Sequence, residues 1–180
     1  MPPEKLPGGP TQDEIMAVSL QKLGLKKTDT VLEIGCGTGK VSVAMAREVK
    51  TVIAIDIRPE AITLATKTAK EAGMKNIEFS CAEATAFLKH EGTYDCAFLG
   101  GTKHLAKILP LLAKNVKRTI VVNAVLLSTV SDAVTVLKEL GLFTEVVQVQ
   151  VSRSHAIAGS IMFKPIDPVF IIVARGAACS

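Results

Sequence analysis

Three glycines at positions 35, 37 and 39, an acid two residues ahead of the first and an apolar run before it mark Val31-Leu-Glu-Ile-Gly-Cys-Gly-Thr-Gly39 as the segment with the clearest chemical content. Gly35 and Gly37, with Cys36 between them, let the backbone turn sharply and approach a ligand with no Cβ in the way. A helix starting after Gly39 would turn its amide end toward the ligand's negative group. A dinucleotide site would space its glycines G-x-G-x-x-G. Here they run G-x-G-x-G, with Glu33 beside them. A carboxylate there would repel a pyrophosphate and attract a cation, so the spacing predicts a ligand that is anionic at one point and cationic at another.

S-adenosylmethionine is such a ligand: its carboxylate would meet the helix start and its amino group would meet Glu33, directly or through a water. Asp56, closing Ile53-Ala-Ile-Asp56, can accept both ribose hydroxyls; capping the helix that begins near Pro59 is compatible with that role. In Cys81-Ala-Glu-Ala84, the Glu83 carboxylate or a backbone amide such as that of Ala84 would bond the adenine edge. The alternative for Glu83 is a helix-start carboxylate favoured by the helix dipole. Leu99-Gly-Gly-Thr102 falls where a donor faces its acceptor, with Gly100 against the donor and Gly101 opening room for a bulky acceptor. No Asn/Asp-Pro-Pro-aromatic motif and no Pro-Cys or Thr-Cys nucleophile pair accompanies it, which argues against exocyclic amines and pyrimidine carbons as acceptors. Arg153 and Lys164 are candidates for binding carboxylates, and His155 for moving a proton. A solvated edge loop is the plainer reading of that stretch, as a surface position is for His90 and His104.

The elements that must position these residues alternate. Thr11, with Glu14 three residues on, predicts a capping box opening a helix through Ile15, Val18, Leu20 and Leu23 to Gly24. Apolar runs predict strands over 30–34, 51–55, 76–80, 94–99 and 118–124, and helical periods predict helices over 40–49, 59–73, 84–89, 103–115 and 129–140. After Gly141 the pattern changes to two strands, 143–152 and 169–174, joined by 153–168 without helical period. The chain is thus expected to be α/β: a Rossmann-like S-adenosylmethionine-dependent methyltransferase fold with a seven-stranded, mostly parallel sheet, one antiparallel strand, and helices on both faces. At 180 residues it makes one domain, 1–180, with 1–10 as a flexible Pro- and Gly-rich arm. A mean hydropathy of +0.37 without an apolar run near ~20 residues predicts a sheet buried on both faces and a subunit interface, not a membrane span. A net charge of +4, one Tyr and no Trp suit an anionic small molecule better than nucleic acid. Cys36, Cys81, Cys96 and Cys179 lack zinc spacing and read as reduced core residues, with no metal expected. The first ten residues carry no apolar signal segment, and a cytoplasmic location is expected.

Gly9-Pro10-Thr11 before a helix, the Glu33–Gly39 loop, Gly100-Gly101, Ala124-Val-Leu-Leu127 and a Ser/Arg-containing loop before the last strand together resemble the decarboxylating precorrin methyltransferases of cobalamin biosynthesis, especially their stand-alone archaeal form. The resemblance covers nearly the whole chain. It implies methylation of carbon 15 of a (cobalt-)precorrin-6B ring with removal of the ring C acetate carboxyl, an anionic tetrapyrrole as partner, and a homotetramer. It also implies a Gly9–Thr11 lid over the donor, and acetate groups positioned by Arg153. Two departures bear on the acceptor side: Thr102-Lys103-His104 stands where the family often has further glycines, and 154–160 carries fewer arginines. A tRNA methyltransferase of the same fold would usually add a basic RNA-binding domain. A non-catalytic, donor-binding oligomerisation module need not keep both the glycine loop and Asp56.

Overall fold

The computed structural model describes residues 9–90, 92–101 and 103–177. Thr102, Cys179 and most of the expected N-terminal arm lie outside them. Five β/α units follow an opening helix: α1 (Asp13–Leu23), β1 (Thr30–Ile34), α2 (Lys40–Ala46), β2 (Thr51–Asp56), α3 (Pro59–Glu71), β3 (Ile77–Cys81), α4 (Ala84–Phe87), β4 (Tyr94–Leu99), α5 (Leu105–Asn115), β5 (Val116–Ala124) and α6 (Leu127–Glu139). Four further strands close the chain: β6 (Phe143–Val149), β7 (Ser152–Ile157), β8 (Ser160–Pro165) and β9 (Val169–Arg175). Pro59 enters α3 in its first turn, and Gly73 follows it with φ of 70°, as a helix stop requires.

The sheet has seven strands in the order β3-β2-β1-β4-β5-β9-β6. The first five strands in chain order pair in parallel, and β9 runs antiparallel to both β5 and β6. The expected fold is therefore the observed one. Side chains alternate across β1: Leu32 and Ile34 join the core under α5 and α6, while Val31 joins the core under α1, α2 and α3. Strand order reverses between β1 and β4, so the loops leaving their carboxyl ends diverge and open a crevice there.

Six local expectations are corrected. The N-cap of α1 is Gln12, with no side-chain cap bond, so Thr11 and Glu14 form no capping box; the Glu14 carboxylate is drawn to Arg153 instead. Helix α2 ends at Ala46, and α4 is one turn. Strand β6 stops at Val149, and 153–168 is not an irregular loop: β7 and β8 pair as a separate antiparallel ribbon with every residue exposed. Its turn is Ala158-Gly159, both at positive φ (46° and 75°), the backbone of a tight two-residue hairpin. Cys36 and Cys96 are buried as expected, but Cys81 is exposed at the end of edge strand β3.

Candidate active site at the carboxyl edge of the sheet

The crevice at the strand-order switch is a cleft of about 130 Å³. One wall is the chain entering α1 (Gly9, Pro10 and Thr11), the facing wall is the turn from Gly35 to Thr38, and Glu33, Arg58, Phe98 and Gly100 complete the lining with Lys40 and Val41. A larger cleft of about 400 Å³ lies at the opposite, amino edge between α5, α6 and β9; it carries neither a carboxylate nor a glycine turn of this kind.

The glycine turn is anchored on its neighbours. The Gly35 and Cys36 amides both donate to the Ile55 carbonyl of β2, at 2.8 and 3.1 Å. Gly35 has φ of 79°, and a Cβ there would stand 2.7 Å from the Gly101 nitrogen. Gly39 has φ of 77°, and its Cβ would stand 2.8 Å from the Cα of Ala65 on α3. No other residue fits either place without moving backbone. Gly101 thus lies against the Gly35 turn; both Gly100 and Gly101 amides also donate to the Ile34 carbonyl.

Glu33 is 1% exposed and its carboxyl meets the hydroxyl of Ser42, itself wholly buried on α2. Burial pushes the Glu33 carboxyl up to about 8; the Ser42 bond opposes that shift and the like charge of Asp56 adds to it. Asp56 stands beside the glycine turn as expected, but its oxygens are occupied. One accepts the Gly37 amide at 3.0 Å and the Arg58 Nη2 at 2.9 Å; the other accepts the Arg58 amide and Nε at 3.0 and 2.9 Å. Burial works against the Asp56 charge, yet these bonds outweigh it and hold the carboxyl below its ordinary range. Arg58, not Asp56, therefore faces the cleft.

Glu83 turns its carboxylate onto the start of α4, accepting the amides of Thr85 and Ala86 at 3.0 and 2.8 Å as well as the Thr85 hydroxyl. The Thr85 hydroxyl and then the two amides pull its carboxyl down to about 2. Neither Glu83 nor Ala84 lines the cleft. Lys40 closes the site from the other side: its Nζ lies 2.8 Å from the Thr11 carbonyl and 2.7 Å from Asp13. The arm is thus tied to the first residue of α2.

Thr11, Glu33, Gly35, Cys36, Gly37 and Gly100 meet around one cleft, with Gly39 and Asp56 directly behind it. Arg153, His155 and Lys164 do not. Arg153 and Lys164 face each other across the ribbon, and His155 faces Met162. The Arg153 guanidinium bonds both Glu14 oxygens, at 3.1 and 2.6 Å. Sequence reasoning missed Lys40, Ser42 and Arg58. Lys40 had one readable signal, a cation opening a helix against its dipole. Among the described residues no cluster of metal-ligating side chains occurs and no helix is long and apolar enough to cross a membrane.

Comparison with known proteins places the chain among relatives. A family model described as "Precorrin methyltransferase domain" matches residues 7–175. A protein of Methanosarcina mazei, named probable cobalt-precorrin-6B C(15)-methyltransferase (decarboxylating), is 47% identical over 173 residues, 93% of this chain and 94% of that one. The crystal structure titled precorrin 8W decarboxylase, from Methanobacterium thermoautotrophicum, superposes with a TM-score of 0.90 at 30% identity, covering 94% of this chain and 95% of that one. The structure titled precorrin-6Y C5,15-methyltransferase, from Geobacter metallireducens, gives a TM-score of 0.89 at 28% identity, covering 95% of this chain and 93% of that one.

Proposed function

We propose a specific reaction for this chain, which belongs to the precorrin methyltransferase family: methylation of carbon 15 of cobalt-precorrin-6B by S-adenosylmethionine, with loss of the ring C acetate carboxyl, in cobalamin biosynthesis. The observation that carries the reading is the buried Glu33 carboxyl lining a glycine-turned cleft in a chain alike over nearly its full length to relatives so named.

The residues present fit the donor. Glu33 offers an acid to a cationic head, Asp56 stands behind the turn for the ribose once Arg58 gives way, and the bare backbone of Gly37 and Gly100 admits close approach. The donor supplies an electrophilic methyl group on sulfonium. The chain's task is then alignment and exclusion of water. Cys36 and the turn from Gly35 to Gly39 fix one side of the donor, and Thr11, pinned by Lys40, covers the other. The Ala84 backbone and Glu83 remain our candidates for the adenine edge. On the acceptor side we assign Gly101, with Arg153 and Lys164 for the carboxylates of the macrocycle and His155 as proton donor. The ribbon that carries these three also exposes Ile157, Ile161, Met162 and Phe163. That apolar surface supports a homotetramer in which the acceptor side is completed by a neighbouring subunit. A cytoplasmic setting goes with this reading.

Calorimetric titration with S-adenosylhomocysteine, alone and with a precorrin-type tetrapyrrole present, tests the proposal. Micromolar binding that tightens with tetrapyrrole is the expected result, followed by released carbon dioxide on turnover. Binding indifferent to tetrapyrrole would refute the acceptor, and no binding would refute the donor.

A further inference from the structure

We propose that Glu33 stands protonated in the free protein and gives up its proton to solvent when a donor's ammonium group enters the cleft, with Ser42 as the positioning residue that aims it. The inference rests on the donor reading above and adds to it a proton that the binding step must expel.

The geometry is that of an acid stored without a counter-ion. In register, Glu33 sits between Ala54 of β2 and Phe98 of β4, on the face roofed by α2. Its hydrogen-bond partner is the neutral Ser42 hydroxyl. The ionisable groups facing it are Asp56 from β2 and Cys36 from the turn. The two nearby cations are engaged elsewhere, Arg58 on Asp56 and Lys40 on Thr11 and Asp13. A carboxyl taken out of water without a cation keeps its proton. The upward displacement of its titration to about 8 agrees with that. Yet Glu33 lines the cleft rather than lying sealed beneath it.

An arriving ammonium reverses the balance. The carboxyl O–H bond breaks, the proton passes to solvent, and a carboxylate–ammonium hydrogen bond forms; the pair holds one proton fewer than its members held apart. No electrons move. The hydroxyl of Ser42 donates to the carboxyl, a bond that favours the charged form and fixes which oxygen is left for the ligand. The like charge of Asp56 would keep Glu33 neutral until a cation is present, so a neutral ligand gains nothing from this site.

The test is calorimetry of the whole protein with S-adenosylhomocysteine in buffers of different ionisation enthalpy, whose slope counts protons released. With a free-site value near 8, release of ~0.9 proton is expected at pH 7 and about half a proton at pH 8. E33Q should bind at least tenfold more weakly with no proton release. S42A should bind more weakly too, while its release at pH 8 rises toward one proton; a purely structural serine would not move that count. Wild-type binding at pH 7 without proton exchange, or undiminished release from E33Q, would overturn the inference while leaving the donor reading intact. No binding by the wild type would overturn both. The wild-type count needs no variant, so a misfolded E33Q cannot shelter the idea.

Discussion

Replacing Lys40 with Met should weaken donor binding about tenfold and leave the fold alone. Lys40 Nζ makes two contacts, 2.7 Å to Asp13 and 2.8 Å to the Thr11 carbonyl. The Asp13 side chain is 72% exposed, so its ion pair with Lys40 is worth about 0.5 kcal/mol. The charged hydrogen bond to the half-buried Thr11 carbonyl adds about 1 kcal/mol. Together they make about 1.5 kcal/mol, which is about tenfold in Kd if the arm must lie docked to wall the cleft. Stability should respond differently. Lys40 is the first residue of α2, where a positive charge opposes the helix dipole, so its loss returns a few tenths of a kcal/mol to the helix. Met keeps the aliphatic stem. The melting temperature should therefore shift by less than ~4 °C. Paired calorimetry and thermal melts separate the two effects. Added salt should weaken binding by the wild type more than by K40M, because the ion pair is exposed. Unchanged affinity in K40M would refute the clamp. A melting temperature lowered by ~8 °C or more would show that Lys40 holds the fold, not the arm.

Three further outcomes follow from the same contacts. R58A frees the Asp56 oxygens that the guanidinium now holds, so S-adenosylhomocysteine should bind several-fold more tightly; weaker binding would make Arg58 a ligand contact and not a competitor. Asp29, 2% exposed, accepts the Lys26 amide and the Arg118 guanidinium; burial opposes its charge, but these bonds prevail and its carboxyl is held low. A lowered folded value means stability that is present above the unfolded Asp value of ~3.9 and lost as pH falls through the folded one. D29N should accordingly cost ~2 kcal/mol in urea unfolding at pH 7, with a flatter acid limb than the wild type. Paired aspartates, I161D with F163D, should lower the mass seen by sedimentation without lowering the protomer's far-UV helix signal, because both residues are exposed on the ribbon.

The glycine-turned cleft was legible because its rules are local. The glycine turn, the acid two residues before it and the acid closing β2 are fixed by short spacings, and strand–helix alternation delivers them to one sheet edge. The reading failed at the start of α1, where a side chain found a partner far along the chain. Thr11 and Glu14 have capping-box spacing, but Glu14 has Arg153 within reach, a partner no local pattern reveals. Asp56 stands beside the glycine turn as read, but Arg58, two residues on, folds back over it and went unread. The ribbon escaped because Ala158, a residue with no preference for positive φ, sits at its turn.

The ribbon obeys a different constraint. A two-stranded ribbon standing apart from its sheet is at best marginal in water, and this one exposes four large apolar side chains. In the assembly proposed above, a second copy of the chain would cover it with identical, self-complementary strands. Arg153 then matters twice. It sits opposite Lys164 on the ribbon and grips Glu14, the residue after Asp13, which Lys40 holds at the cleft. A chain of ion pairs therefore runs from the ribbon to the arm that walls the donor site. Covering the ribbon shields the Arg153–Glu14 pair from water and strengthens it, so assembly should firm the arm as well. On this reasoning the donor site of an isolated protomer is complete in its residues but looser in its lid, and dilution below the assembly range should weaken donor binding in the wild type more than in K40M.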